Sequence, residues 1–261
     1  MPNRNAISLV ELIVVVAIIG LLISLLIPAV MVARESSRQQ QCSNNLRQIG
    51  LALHGYHSAK QRLPVGCLEW RSPGGPSNRR QLAWSAFVLP YLEQQTVYAA
   101  LDLQQPFDAP ANRDIAGTRI SVYECPSHPG HETKPGRTDY GGIHGEIIVD
   151  HRQDDGILLH ERAIRFSQIT DGLSNTVAIA EDLHGPDNGW INGRNVFVQS
   201  HGINDPNAWV MDNEIRGVHS NGAMVLFSDA APRWLSREMN KRVLGQMLTR
   251  DRGEVVEHEG P

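Results

Sequence analysis

The sequence predicts an α+β protein built on one long N-terminal helix. Three observations predict it: an apolar run from Leu12 to Val32, an apolar stripe of helical period directly after it, and short strand-like segments beyond Pro64 that include a hairpin.

The apolar run holds fifteen Leu, Ile or Val residues in twenty-one positions. On an insertion scale they contribute about −5 to −9 kcal/mol, against about +2.5 to +3.5 kcal/mol for one mid-span acid, Glu11 being the acid at the start of the run. Twenty-one helical residues at about 1.5 Å each cover a hydrocarbon core of about 30 Å, so the run is long enough to span a membrane.

A secretory signal would be shorter and would end on small residues, whereas "VMVA" ends at Ala33 with Met31 in the way. A plain anchor fits the length and leaves Glu11 without a role. A prepilin-type segment explains both: a polar leader, "MPNRNA" (1–6), is cut between Ala6 and Ile7, and Glu11 then lies one helical turn from the new amine. Where such helices pack together without water, a carboxylate from one subunit neutralises the Ile7 amine of another and sets their register.

Past the membrane segment (7–33), Cys42, Leu46, Ile49, Leu53 and Tyr56 recur at helical spacing, while Arg34, Arg38, Gln39, Arg47 and Gln48 fall off that stripe. Residues 34–62 therefore read as an amphipathic continuation packed on the chain's own globular domain (63–261), and Pro64 ends it. Pro28 lies inside the span, where a proline is tolerated.

Beyond it, residues 82–101 read as an apolar segment passing into a short helix, and 102–114 as irregular. "RISVYECPS" (119–127) alternates like a strand. Ser127 to Asp155 is polar and rich in Gly and His; residues 156–182 suggest a strand, a short helix at "FSQI" and a strand at "TVAIAE". "TDGLSN" (170–175) has the composition of a turn, with Asp171 and Asn175 suited to bonding nearby backbone amides. "GAMVLFSDAAPRWLS" reads as two strands around Asp229, and a helix follows from about Ser236 to Thr249.

The formal charge of −4 gives no basic field, so nucleic acid is not an expected partner. Three cysteines leave at least one unpaired. Cys42 and Cys125 are candidates for a disulfide if the "YECPS" segment lies on the helix stripe; two buried thiols satisfy the sequence equally. No Ser or Cys stands in a nucleophile setting, no cofactor motif occurs, and the histidines lack zinc-motif spacing, so no catalytic residue, cofactor or metal is assigned. The best calcium candidates are Asp150, Asp154 and Asp155, which lack EF-hand spacing and read more simply as a solvated acidic turn.

The blocks "SLVELIVVVAIIGLLISLLIPAV", "WSAFVLPYLEQ", "YECPS", "ITDGLSNTVAIAED" and "HSNGAMVLFSDAAPRW" together resemble a family of prepilin-like proteins of unknown function, with an N-terminal cleavage and methylation motif and a C-terminal His-x9-Asp-Gly motif. The resemblance implies a pilin-like fold: the long helix laid on an antiparallel sheet with large loop insertions. It implies cleavage before Ile7 and its methylation by a prepilin peptidase, and a single pass through the cytoplasmic membrane with the C-terminal domain outside. It also implies homo- or hetero-oligomers formed through the helix, and no enzymatic activity.

This chain has Ala6 where the family has Gly before the cut, and Ile7-Ser8 where Phe-Thr is usual. His219 and Asp229 meet the C-terminal motif, but Ala230 replaces its Gly and strains any tight turn there. His219 and Asp229 are expected to face each other across the hairpin through a structural hydrogen bond. The expected function is an anchored pilin- or pseudopilin-like subunit. The alternatives are an anchored module binding a glycan or other ligand around Trp190 and Trp209, and an anchored hydrolase.

Overall fold

A computed structural model describes residues 9–72, 74–128, 135–149, 153–183, 189–208, 213–219 and 221–253. Ala6, Ile7, Asp150 and Trp209 lie outside the described residues. Contacts divide the chain into two units, Met1–Gln40 and Gln41–Pro261.

Helix α1 (Leu9–Lys60) begins in the first unit and ends in the second, with Pro28 inside it. In the first unit every large apolar side chain from Leu9 to Val32 is between 48% and 73% exposed. Ser24 disposes of its hydroxyl within the helix, donating to Leu21 O at 2.7 Å, so it adds no polar group seeking water. Arg38 and Glu35 pair one turn apart at 2.5 Å.

The second unit opens within the same helix, at Gln41, and the predicted stripe is its inner face. Cys42, Leu46, Ile49 and Leu53 are buried, while Arg47 and Gln48 are exposed. Lys60 ends the helix four residues before Pro64.

A five-stranded sheet backs the helix, in the order β5-β3-β4-β6-β7. Its strands are β3 (Tyr140–Glu146), β4 (Val177–Glu181), β5 (Val196–Gln199), β6 (Gly222–Phe227) and β7 (Pro232–Ser236). β6 shows why the sheet needs cover on both faces. Met224 and Leu226 join the core under α1, whereas Ala223, Val225 and Phe227 point into a second core with Leu244, Met247 and Leu248 of helix α5 (Lys241–Leu248). β1 (Cys67–Leu68) and β2 (Leu82–Ala83) form a separate small ladder. Helices α2 (Trp84–Val88), α3 (Gln95–Ala100) and α4 (Pro110–Ala116) lie in the long connection before the sheet.

The architecture is the predicted α+β one, a long apolar N-terminal helix with a sheet, but the sheet is mixed. β5 runs parallel to β3, and the other three pairings are antiparallel. The strands at "TVAIAE" and in the hairpin form as expected, and "FSQI" supplies a 3-10 turn at Phe166–Gln168.

Other segments differ from expectation. Residues 119–127 hold a 3-10 turn, Ser121–Tyr123, instead of a strand: Tyr123 is buried, its hydroxyl donating to Ser85 O, and its carbonyl takes the Asp139 N–H. Residues 156–160 make no ladder of their own, although Ile157 and Leu158 both donate to Ile143 O. The stretch from Ser127 to Asp155 contains the inner strand β3. Helix α4 occupies part of 102–114, and α5 starts at Lys241, capped by the Asn240 side chain on Arg242 N.

Candidate functional site

Three regions carry chemistry. The first is the exposed apolar stretch of α1, which has Glu11 in its first turn.

The second is a buried cluster in the Gln41–Pro261 unit. Cys42 projects from the inner face of α1 and is joined by a disulfide to Cys125, 83 residues away, with Cα atoms 5.2 Å apart. The Cys125 segment is fixed from both sides. Asn45, one turn along α1, donates to Glu124 O at 2.8 Å. Asp139 accepts the Cys125 N–H at 2.7 Å and is itself held by Arg137 at 2.9 Å and His128 at 2.8 Å.

Against the disulfide lie His219, just before β6, and Glu181, the last residue of β4. His219 Nε2 is 3.8 Å from Cys125 Sγ and 3.5 Å from Glu181 Oε1, and the histidine and glutamate side chains are both fully buried. One carboxylate oxygen of Glu181 accepts the Met224 N–H at 3.0 Å; the other, Oε1, has only the long His219 contact among the described residues. Burial pushes the Glu181 carboxyl above the usual carboxylate range, against the opposing pull of His219 and the Met224 amide.

The third region is an open cavity of about 400 Å³ lined by Trp70, His144, His160, Arg194, Gln153 and Asn213 among others. Trp70 stacks on His160 at 4.4 Å between centroids, and His160 stacks on His144 at 4.1 Å. His160 Nε2 is buried, with no hydrogen-bond partner among the described residues. Burial, with His144 beside it, pushes His160 down to about 3, so the stack is neutral near pH 7.

The structure separates several residues that the sequence grouped. His219 precedes β6 and Asp229 follows it, so the two stand at opposite ends of one strand and do not face across the hairpin. Asp229 instead shapes the turn: it accepts the Ala231 N–H at 3.0 Å and pairs with Arg233 at 3.1 Å. Of the three calcium candidates, the two described aspartates both have arginine partners. Asp154 is paired with Arg162 at 3.0 Å, and Asp155 is buried against Arg252. Asp171 does accept backbone amides, but those of Arg252 and Gly253 near the C-terminus rather than its neighbours. Trp190 is a core residue, fully buried with its indole N–H donated to Thr118 O at 2.9 Å, and offers no binding surface. Sequence reasoning missed Glu181 and the Trp70–His160–His144 stack, because neither has a local motif.

These features define an α+β domain carried on a long apolar helix, with a disulfide-closed core and an aromatic-lined cavity. The chain belongs to the family described as protein of unknown function (DUF1559), which it matches over residues 31–201. That match takes in Cys42, Cys125 and Glu181 and ends before His219. No curated protein matches the chain, and no solved structure does.

Proposed function

We propose that this chain is a membrane-anchored, pilin- or pseudopilin-like subunit with a structural, non-enzymatic role. One observation carries the reading: the apolar side chains from Leu9 to Val32 are at least 48% exposed, a contiguous surface far beyond what a soluble chain leaves uncovered. The helix is long and apolar enough to cross a membrane, and it is compatible with a single-pass anchor. Lipid covers it before assembly, and the helices of other copies or of related subunits cover it afterwards.

In this reading a prepilin peptidase cuts between Ala6 and Ile7, the C-terminal domain faces the extracytoplasmic side, and Glu11 receives a neighbour's Ile7 amine. Edman sequencing and mass measurement of the membrane-extracted protein should give a methylated Ile7 as the first residue; an intact Met1 would refute processing. Glu11→Ala should leave membrane fractionation unchanged and remove the chain from sheared filaments, and normal filaments would refute the pairing.

The stacked cavity favours a second role for the same anchored chain. Trp70, His160 and His144 present flat neutral rings beside Arg194, Gln153 and Asn213, the combination that holds a sugar or another flat polar ligand. Trp70→Ala should abolish retention of the full-length protein on a glycan array that binds the wild type; no binding by the wild type refutes the sugar.

A further inference from the structure

The buried cluster holds more metal-ligating groups than the disulfide uses. Cys42, Cys125, Glu181 and His219 each offer one metal-ligating atom, with all four atoms within 4.8 Å of one another and all four residues buried. They come from four separate places: α1, the loop after Ser121–Tyr123, the end of β4 and the approach to β6.

We propose that the reduced chain binds one divalent, thiophilic cation of the zinc class at these four residues, and that the disulfide is the alternative closure of the same pocket. The donor set, two thiolates with one imidazole and one carboxylate, is one that tetrahedral zinc accepts.

The spacing around His219 agrees with that geometry. A tetrahedron with metal–sulfur bonds of about 2.3 Å and metal–nitrogen or metal–oxygen bonds of about 2.0–2.1 Å has edges of about 3.3–3.8 Å. Two of the six edges lie in or close to that range, 3.8 Å from Cys125 Sγ to His219 Nε2 and 3.5 Å from His219 Nε2 to Glu181 Oε1, and reduction must part the two bonded sulfurs to supply a third.

Glu181 supplies an independent observation. Its Oε2 is held by a backbone amide, whereas Oε1 is buried beside the sulfurs and, among the described residues, has only the long 3.5 Å contact to His219 Nε2. A buried carboxylate oxygen held only by one long contact is costly in a dry core, and a cation satisfies it. The surroundings also act as a support for ligands, since Asp139 fixes the Cys125 backbone and Asn45 ties the adjoining loop to α1.

The exchange balances. A dithiol reductant gives two electrons and two protons to the Cys42–Cys125 bond and becomes a disulfide itself. The two thiols then lose their protons to solvent as the sulfurs bind the ion.

The test uses the full-length chain in detergent, reduced with a phosphine, desalted without oxygen and titrated with cobalt(II). The proposal predicts one cobalt per chain, with the visible bands of a tetrahedral ion and a thiolate-to-cobalt band, and zinc should displace it. The oxidised chain should show neither band. Glu181→Gln and His219→Gln, checked for folding by circular dichroism, should weaken binding by more than about 100-fold, the upper end of what losing an outer-shell partner costs.

Absence of the thiolate band in the reduced wild type, or unchanged affinity in the folded variants, overturns the site. A measurement without variants stands beside it: zinc should slow alkylation of Cys42 and Cys125 in the reduced wild type, counted on their peptides. Equal rates with and without zinc overturn it as well.

Discussion

Gly50 on α1 lies directly against Ala230 at the tip of the β6–β7 hairpin: a Cβ placed on Gly50 would fall 2.8 Å from the Ala230 Cβ and 2.9 Å from its Cα. The helix can reach the sheet there only because residue 50 has no side chain. Gly50→Ala should therefore destabilise the protein by about 1–3 kcal/mol despite its better helix propensity, through overpacking against backbone. Urea unfolding with an unchanged m-value would show this; a stabilised variant would contradict the contact.

Ala230 has a φ of 64°, a left-handed conformation that suits Gly. Ala230→Gly should stabilise the protein by about 1 kcal/mol, the strain of a non-glycine residue held there. Thermal unfolding reads the effect, and a lower midpoint would mean that the turn is not the strained one described.

The disulfide closes a separation of 83 residues. Converting both Cys42 and Cys125 to Ser should cost about 2–5 kcal/mol under oxidising conditions. The same pair of substitutions should cost far less when the wild type is compared in reductant without metal.

For His160 the sign follows from burial. Its folded-state value is pushed down to about 3, below the ordinary value of about 6.5. Between these values the unfolded chain takes up a proton that the folded chain refuses, so stability present above pH 6.5 is lost as the pH falls toward 3. His160→Phe, which keeps the stack on Trp70, should flatten the loss of stability across that window by at most about 1.4 kcal/mol per pH unit. An unchanged slope would refute a neutral buried imidazole.

Cys67 is buried, and burial, reinforced by Glu161, pushes its thiol up to about 12. At pH 8 iodoacetamide should leave it unlabelled in the native protein and label it fully after denaturation, as read by peptide mass.

What the sequence disclosed follows from where periodicity exists. The stripe from Cys42 to Tyr56 was legible because only one face of α1 is buried in the Gln41–Pro261 unit, and the hairpin was legible because apolar runs flank a turn. Strand β3 was not. It is an inner strand with neighbours on both sides, yet it reads "YGGIHGE", whose glycines yield no β signal. The reason is spatial: a Cβ on Gly142 would meet the Leu158 side chain at 2.7 Å, so close approach replaced propensity. The buried cluster was illegible for a different reason, since its four residues are spread from position 42 to position 219 and only folding brings them together.

The disulfide also sits at a mechanically decisive place. Cys42 is the first buried residue along α1, so within the Gln41–Pro261 unit the helix is fastened covalently at its first turn. Tension entering that unit along α1 at Gln41 therefore meets a covalent bond at the first buried residue. In the oxidised chain α1 cannot be peeled from the sheet turn by turn from that end; tension passes through sulfur into the Cys125 loop and on to Asp139 at the entrance of β3.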